Sequence, residues 1–511
     1  MDPLTGILKN WSFLGSAQVI SSLIAMVFTV VVSRALGDVE FGRLYLALTL
    51  TSLVGVVVDF GLAQVVTRAV ARDRRLARPY FKRATIIVAA IGTCFYLLLL
   101  ASVKALGFTA EVFSLVVILG LFMIVDAFSQ VLGALFLAHE RMLTPALSRV
   151  AGNAIALVLV LPVLLRSYGT AMVATVIVIA AILRVAIQAF ALRGLSGLRL
   201  PAPEAPSWRA LLRAGLPFVA AQGLGLFVFK IDVIVLGRMA SEATVGWYAA
   251  ASRVVDSFNF VPILLTMATF PVLSRLWVDA PNDFRTTFRK TLDVLIAVTL
   301  PATVMLFALA PDLIGSLFTL DSYGPAVPIL RIQAISLALV FVDYLLACTL
   351  MATGRERTWI AILAVACILN PVLNWLLIPP AQSAYANGAI GAALATLLTE
   401  VFILTFALRA VPSATFAPGS LWAGARASAL AAALGVFLFT SRSLGMPWIA
   451  AAVAGGIGYA AAAIWLGVLP QNLMAWARRA TATPDVRTRG AGGEQTGDVK
   501  AADSPSGVEA A

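Results

Sequence analysis

Long apolar stretches alternate with short polar segments along almost the entire chain. A helix needs about 20 mostly apolar residues to cross a bilayer, so each stretch of this length is predicted to be a transmembrane helix. We identify 14 such spans, at approximately residues 11–33, 41–66, 84–106, 112–138, 146–166, 169–191, 211–236, 245–271, 292–317, 327–352, 358–378, 388–408, 425–441 and 447–469. The pattern predicts an all-α polytopic membrane protein with about 14 transmembrane helices.

The composition supports this prediction and marks where the pattern ends. Of the 511 residues, 61% are hydrophobic and only 12% are charged, whereas about a quarter of the residues of a soluble domain are charged. Residues 471–511 have almost no large apolar side chain and are rich in Gly, Ala, Ser, Thr and Asp. We expect this segment to be a disordered cytoplasmic tail.

Basic residues are concentrated in every second loop. If the N-terminus is cytoplasmic, the cytoplasmic segments hold 26 of the 37 Lys and Arg residues. The outer loops hold only Arg34, Lys104, Arg166, Arg238 and Arg442. The positive-inside rule therefore places both termini in the cytoplasm. The net charge of +12 then reflects topology, and because the charges are split among many loops, nucleic-acid binding is not expected.

Several types of catalytic or metal site are disfavoured. His139 is the only histidine, and Cys94, Cys348 and Cys367 all fall inside apolar spans. These residues suggest neither a zinc site nor a disulfide framework, and no cofactor is expected. A membrane glycosyltransferase would need carboxylates on a substantial outer loop, and every outer loop is short. We therefore expect a protein that is not an enzyme.

The chain also contains a weak internal repeat. A shift of 204 residues aligns Gln18 with Gln222, Arg34 with Arg238, Asp38 with Glu242 and Gly42 with Gly246. The repeat pairs the first two spans with spans 7 and 8, which leaves six spans in each half and makes the halves parallel. We predict an N-terminal six-helix lobe at 1–209, a C-terminal six-helix lobe at 210–410 and accessory helices 13 and 14 at 411–470. Such repeats around a central axis are typical of transporters.

Charged side chains inside the spans are the candidate site residues. A charge in hydrocarbon costs a few kcal/mol or more, so these residues should face the interior of the bundle. Lys230 and Asp232 lie two residues apart in span 7, and because this spacing turns them about 200° around the helix axis, they cannot pair with each other. Span 8 carries Arg253 and Asp256 on one face. The spacing allows Asp232 with Arg253, or Lys230 with Asp256, either as a structural ion pair or in a substrate site.

The other charges in the spans extend this set. The predicted substrate-binding cations are Lys230, Arg253, Arg149, Arg184 and Arg331. Arg184 and Arg331 are close enough to helix ends that a role at the membrane surface is the simpler interpretation for both. The carboxylates that can take up H⁺ or Na⁺ are Asp232, Asp256, Asp126, Asp343 and Glu400. Asn370 and Asn374 flank Pro371 and are expected to satisfy backbone groups at a kink.

Two hairpin motifs resemble a known family. The first, R-A-L-G followed by F-G-R-L-Y and D-F-G-L, covers residues 34–62, and the second, F-K-I-D followed by V-G-W-Y, covers residues 229–248. Both resemble prokaryotic polysaccharide flippases of the multidrug/oligosaccharidyl-lipid/polysaccharide exporter superfamily. The resemblance covers about residues 8–470.

The resemblance implies a function. Such proteins move an undecaprenyl-diphosphate-linked oligosaccharide from the inner to the outer leaflet of the cytoplasmic membrane, by alternating access, through a V-shaped cavity between two six-helix lobes. Coupling to H⁺ or Na⁺ through the carboxylates of the spans, and polysaccharide polymerases as partners, are further expectations. The alternatives within the superfamily are a lipid II flippase, which also has 14 spans and a cationic cavity, and a multidrug exporter, which typically has 12 spans and a cavity dominated by carboxylates.

Overall fold

The computed structural model describes residues 3–194, 207–412, 415 and 420–468. All regular secondary structure in these residues is helical, which confirms the predicted fold class. The α-helices are α1 Pro3–Asp59, α2 Leu62–Arg72, α3 Ala77–Ala105, α4 Ala110–Ala138, α5 Leu143–Leu165, α6 Thr170–Ala191, α7 Trp208–Met239, α8 Glu242–Asp256, α9 Phe260–Asp279, α10 Pro281–Ala308, α11 Ala310–Leu317, α12 Leu320–Tyr323, α13 Ala326–Ala352, α14 Glu356–Tyr385, α15 Gly388–Ala410, α16 Ser420–Ser443 and α17 Trp448–Trp465. The predicted tail at 471–511 lies outside the described residues.

Within the described ranges, 12 helices are long and apolar enough to cross a membrane, and α7, which is bent by 44°, raises the number to 13. The chain is therefore a multi-pass membrane protein. The predicted number of 14 stays a prediction. The number reaches 14 if Ala17–Arg72, which forms one 56-residue helical segment, crosses the membrane twice. As a straight helix this segment would be about 84 Å long, well beyond the hydrocarbon core of about 30 Å.

Gly37 interrupts this long segment. Its backbone, at φ 76° and ψ 177°, leaves the helical region for one that essentially only glycine adopts. The break falls between the predicted spans 11–33 and 41–66, in the R-A-L-G motif. A second break follows at Phe60 and Gly61, which both have positive φ, in the D-F-G-L motif. Glycine in these motifs therefore sets where the chain turns.

The two hairpins aligned by the repeat pack against each other. A Cβ atom added to Gly42 would collide with the carbonyl oxygen of Glu242, and one added to Gly246 would collide with the carbonyl oxygen of Asp38. The contact is reciprocal, because the repeat aligns Gly42 with Gly246 and Asp38 with Glu242. Arg43 forms an ion pair with Glu242, and the Trp247 indole donates to Asp38 Oδ2 at 2.8 Å. This hairpin contact joins the two halves at their predicted outer end.

The apolar core also joins the two halves. Leu46 of α1, Leu236 of α7 and Ala250 of α8 are fully buried members of one large cluster that extends through α13, α14 and α15. Helices α16 and α17 belong to a smaller cluster, in which Ala427 and Ala451 pack beside Ala297 of α10. Small residues allow these helices to approach closely. The predicted lobe boundaries at 209 and 410 stay predictions.

Candidate functional site

Four neighbouring cavities, each partly open, lie among the described residues. We name them by their lining: the acidic cavity (about 630 Å³, with Asp343 and Glu400), the central cavity (about 240 Å³, with Asp256 and Gln333), the cationic cavity (about 380 Å³, with Lys230, Arg253 and Arg184) and the polar cavity (about 500 Å³, with Arg68 and Arg149).

Shared side chains connect each cavity to the next. Phe229 and Tyr344 line both the acidic and the central cavity. Lys230 lines both the central and the cationic cavity, and Arg184 lines both the cationic and the polar cavity. The four cavities therefore form a series with carboxylates at one end and cations at the other.

The cationic cavity is built from both halves of the chain. Helices α1, α4, α5 and α6 provide most of its walls, whereas Lys230 from α7 and Arg253 from α8 come from the second half. The predicted cations Lys230, Arg253 and Arg184 are therefore brought together. Arg149 lines the adjacent polar cavity, where its guanidinium donates to Gln18 Oε1 at 3.4 Å.

Lys230 has partners on two helices. Its Nζ lies 3.6 Å from Asp256 Oδ2, donates to the Tyr45 hydroxyl at 3.3 Å and lies 5.6 Å from the centre of the Tyr45 ring. Of the two ion pairs allowed by the spacing, the structure contains Lys230 with Asp256. Cation–π contact and a hydrogen bond both hold the ammonium at the boundary between the central and cationic cavities.

Arg253 and Arg184 differ in their partners. Arg184 forms an ion pair with Asp126, which also accepts a hydrogen bond from Gln130 at 3.3 Å. Arg253 forms no ion pair with any carboxylate of the described residues. Its guanidinium therefore offers the cationic cavity a positive charge that no carboxylate in the described part of the chain pairs with.

Arg331 lies apart from the other predicted cations. Its Nε donates to the carbonyl oxygen of Phe307 at 3.3 Å, and its guanidinium stacks over the Phe307 ring at 5.5 Å. It lines none of the four cavities. This placement fits the alternative that the sequence left open for it, a cation near a helix end.

Asp232 is buried in a cluster of neutral donors. Only 1% of its surface is exposed, and it accepts hydrogen bonds from Tyr248 at 2.9 Å, Asn374 at 2.6 Å and Thr396 at 2.5 Å. The pairing of Asp232 with Arg253 that the spacing also allowed is absent. Asn374 additionally donates to the Asn370 carbonyl at 3.0 Å, so its amide serves both the kinked helix and the carboxylate.

Asp343 of α13 and Glu400 of α15 form the carboxylate end of the series. Both line the acidic cavity, whose other walls include Met267, Phe270 and Trp359. Their side chains are neighbours that interact electrostatically. Among the described residues, no group of three or more His, Cys, Asp or Glu side chains is placed to hold a metal ion.

Some residues of the site were missed in the sequence. Tyr45, Tyr248 and Thr396 contact Lys230 or Asp232, although none of them is charged. Tyr45 and Tyr248 are the tyrosines of the F-G-R-L-Y and V-G-W-Y motifs, and their occurrence close after the repeat-related Gly42 and Gly246 was the available signal. Thr396 gives no such signal, because it lies 164 residues from Asp232.

Comparisons with known proteins give a consistent result. A family model described as polysaccharide biosynthesis protein matches residues 7–277, and a second, MatE, matches residues 217–376. A curated relative, the probable flippase AglR of Haloferax volcanii, is 31% identical over 231 residues, which are 42% of this chain and 45% of the relative. The aligned part of the chain thus spans less than half the length of this relative.

Solved structures share the fold at low sequence identity. The lipid II flippase MurJ, in an inward closed conformation, superimposes with a TM-score of 0.72 at 14% identity, over 88% of this chain and 98% of MurJ. An inward-facing multidrug resistance MATE family transporter of the MOP superfamily superimposes with a TM-score of 0.65, also at 14% identity, over 76% of this chain and 94% of that transporter.

Proposed function

Because the chain belongs to the polysaccharide biosynthesis protein family, whose model matches more than half of it, we propose that it is a flippase for a lipid-linked oligosaccharide. The substrate is an undecaprenyl-diphosphate-linked glycan, moved across the cytoplasmic membrane by alternating access, with both termini in the cytoplasm. One observation carries the proposal: Lys230, Arg253 and Arg184 line one cavity that both halves of the chain enclose.

The chemistry of the substrate explains why these cations are needed. A diphosphate diester carries about two negative charges, and moving them unpaired through hydrocarbon would cost far more than thermal energy. A cavity with Arg and Lys replaces the lost hydration by charge-assisted hydrogen bonds. Arginine also offers a planar fork that matches phosphate oxygens, and of the three cations in this cavity Arg253 is the one that no carboxylate of the described residues pairs with.

The hairpin contact provides the matching gate. The halves touch through Gly42 and Gly246 at the predicted outer end, beside the outer part of α1 that lines the cationic cavity. In alternating access the substrate enters from the opposite side and leaves when this contact separates. Asp126, Asp256 and Asp232 are held by polar partners, and we assign them to shaping the cavities and name them as candidates for coupling with H⁺ or Na⁺.

A multidrug exporter is the second candidate, favoured by the acidic cavity. Aromatic and methionine side chains around two carboxylates are suited to an apolar organic cation. The two functions require different ends of the series of cavities. A flippase depends on the cationic cavity, whereas an exporter of organic cations depends on Asp343 and Glu400.

Binding measurements separate these candidates. We expect purified protein to bind a short-chain polyprenyl diphosphate sugar more tightly than the monophosphate, and Arg253→Ala to weaken binding for every sugar attached, because the phosphates are common to all such substrates. The control Arg166→Ala removes an exposed outer cation that donates to the Tyr168 hydroxyl at 3.5 Å, and it should not change affinity. Equal affinity for diphosphate and monophosphate, or tight binding of a lipophilic cation alone, would contradict the proposal.

A further inference from the structure

Asp343 and Glu400 are buried beside each other and lack hydrogen-bond donors. Their residues are 5% and 2% exposed, and no donor of the described residues reaches either oxygen of Asp343 or Oε1 of Glu400. Asp232, at a similar depth, is satisfied by three donors. A buried polar group without a partner costs free energy, so the contrast indicates that the pair binds something that the rest of the protein does not provide.

The surroundings supply no positive charge to the pair. No Lys or Arg is among the side chains that line the acidic cavity. The titratable neighbours are Asp232 on α7, Tyr344 and Cys348 on α13, and, next to Tyr344, Asp256 at the end of α8. Lys230 lies one residue beyond Phe229 of the cavity wall, and it is bound by Asp256 and Tyr45. Two ionised carboxylates here would therefore repel each other without compensation.

Few oxygen ligands are available for a metal cation. Apart from the two carboxyl groups, the side-chain oxygens at the cavity wall are those of Thr266 and Tyr344. The Thr266 hydroxyl already donates to the Pro262 carbonyl at 2.7 Å. Hard cations need several oxygen ligands to replace their hydration shell. A proton needs only the two carboxyl groups, which can then share it in one hydrogen bond.

We propose that Asp343 and Glu400 hold one exchangeable proton between them and that this proton is coupled to transport. The coupling rests on the proposed flippase function; the proton site does not. Helix α13 carries Asp343 and also lines the central cavity through Gln333 and Val340, and helix α15 carries Glu400 and also lines it through Thr396. Gain or loss of the proton therefore changes the contact between two helices that also form the wall of the substrate pathway.

The site is tested without any lipid substrate. Dicyclohexylcarbodiimide is an apolar reagent that modifies protonated carboxyl groups in apolar surroundings. We expect mass spectrometry of the full-length protein to find the label on Glu400 or Asp343. Above the pH at which the pair titrates, labelling should fall about tenfold per pH unit. Na⁺ should not protect the two carboxyl groups from the reagent. Asp312→Asn, which removes a carboxylate paired with Arg442 outside the cavities, should label like the wild type.

A second measurement does not depend on access of the reagent, and its first part uses only the wild type. The wild-type protein should show a carboxylic acid C=O infrared band that titrates with pH, and the D343N/E400Q double variant should lack this band. Absence of a titrating band would overturn the proton site, and protection of the label by Na⁺ would overturn it in favour of a metal cation.

Coupling has its own test. In liposomes, a pH gradient should change the transport rate of the wild type and not that of the D343N/E400Q double variant. If the variant responds to the gradient like the wild type, the pair is not the coupling site. If the label and infrared band are found but no lipid-linked sugar is transported, the flippase function fails and the proton site stands.

Discussion

Arg253 and Lys230 share one cavity but differ in how strongly acidic neighbours neutralise them. Lys230 is paired with Asp256, whereas Arg253 is not paired with a carboxylate of the described chain. A hydrogen bond to a charged group contributes about 1.5–3 kcal/mol, which is about 10- to 150-fold in affinity. We expect Arg253→Ala to reduce substrate affinity by this amount and Lys230→Ala to reduce it less.

Arg253→Lys separates charge from shape. It keeps the positive charge but loses the planar fork, so we expect it to retain part of the affinity in titrations with a short-chain polyprenyl diphosphate sugar. Arg331→Ala provides a comparison, since Arg331 stacks on Phe307 outside the cavities, and its effect should be smaller than that of Arg253→Ala. Equal losses in Arg331→Ala and Arg253→Ala would show that the cationic cavity is not the phosphate site.

Reversal of the Lys230–Asp256 pair tests whether that pair is only structural. The double variant Lys230→Asp with Asp256→Lys preserves an ion pair but moves the cation from α7 to α8. We expect both the single variant Lys230→Asp and the double variant to fail in transport, with normal expression and melting temperature for the double variant. Recovery of transport in the double variant would assign the pair to structure and remove Lys230 from the substrate site.

The close packing of the two hairpins leads to a prediction at the scale of the helices. An alanine at Gly42 or Gly246 collides with backbone of the other hairpin, and overpacking of this kind costs about 1–3 kcal/mol. We expect Gly42→Ala to favour separation of the outer ends, so that a cysteine at Leu48, which lines the cationic cavity, reacts faster with a membrane-impermeant thiol reagent added outside. Cys94, Cys348 and Cys367 are replaced beforehand.

Gly223→Ala is the matched control for this experiment. Gly223 is also a helical glycine, and a Cβ there meets no atom within 4 Å, so its variant should label at the original rate. Slower or unchanged labelling in Gly42→Ala would contradict the assignment of the hairpin contact as the outer gate.

Helices α16 and α17 pack on α10 through small residues and line none of the four cavities. We expect a protein that ends after residue 412 to keep its fold and its affinity for a polyprenyl diphosphate of short chain, because the charged sites lie elsewhere. Transport of a long-chain substrate should be impaired if α16 and α17 guide the polyprenyl tail. Normal transport by the truncated protein would exclude that role.

The predictability of these elements differs for physical reasons. Hydropathy located the helices, because burial in lipid requires long apolar stretches, and the repeat located the hairpins. Hydropathy did not reveal the break between α8 and α9 at residues 257–259, since the break is short and its flanks are apolar. Lys230 with Asp256 was one of two predicted pairs because α7 and α8 are adjacent in sequence. Asn374 and Thr396 were not predicted as partners of Asp232, since these contacts depend on which distant helices meet.

At the scale of the whole molecule, charge is distributed asymmetrically along the series of cavities. Cations face the cationic and polar cavities, and two neighbouring carboxylates face the acidic cavity, where no Lys or Arg is among the lining residues. A membrane potential of 100 mV, negative inside, favours outward movement of an anion by about 2.3 kcal/mol per charge. Under the proposed function, such a potential assists outward movement of the diphosphate, and the acidic cavity holds the proton that we propose to be coupled to transport.

Reconstitution in liposomes tests the central claim most directly. The protein is inserted into vesicles that carry a short-chain polyprenyl diphosphate sugar in one leaflet, and the appearance of the sugar in the opposite leaflet is measured under an imposed potential and under an ion gradient. We expect transport above that of protein-free vesicles, with little dependence on the sugar and strong dependence on Arg253. Transport no faster than in protein-free vesicles, under both the potential and the gradient, would contradict the proposed flippase function.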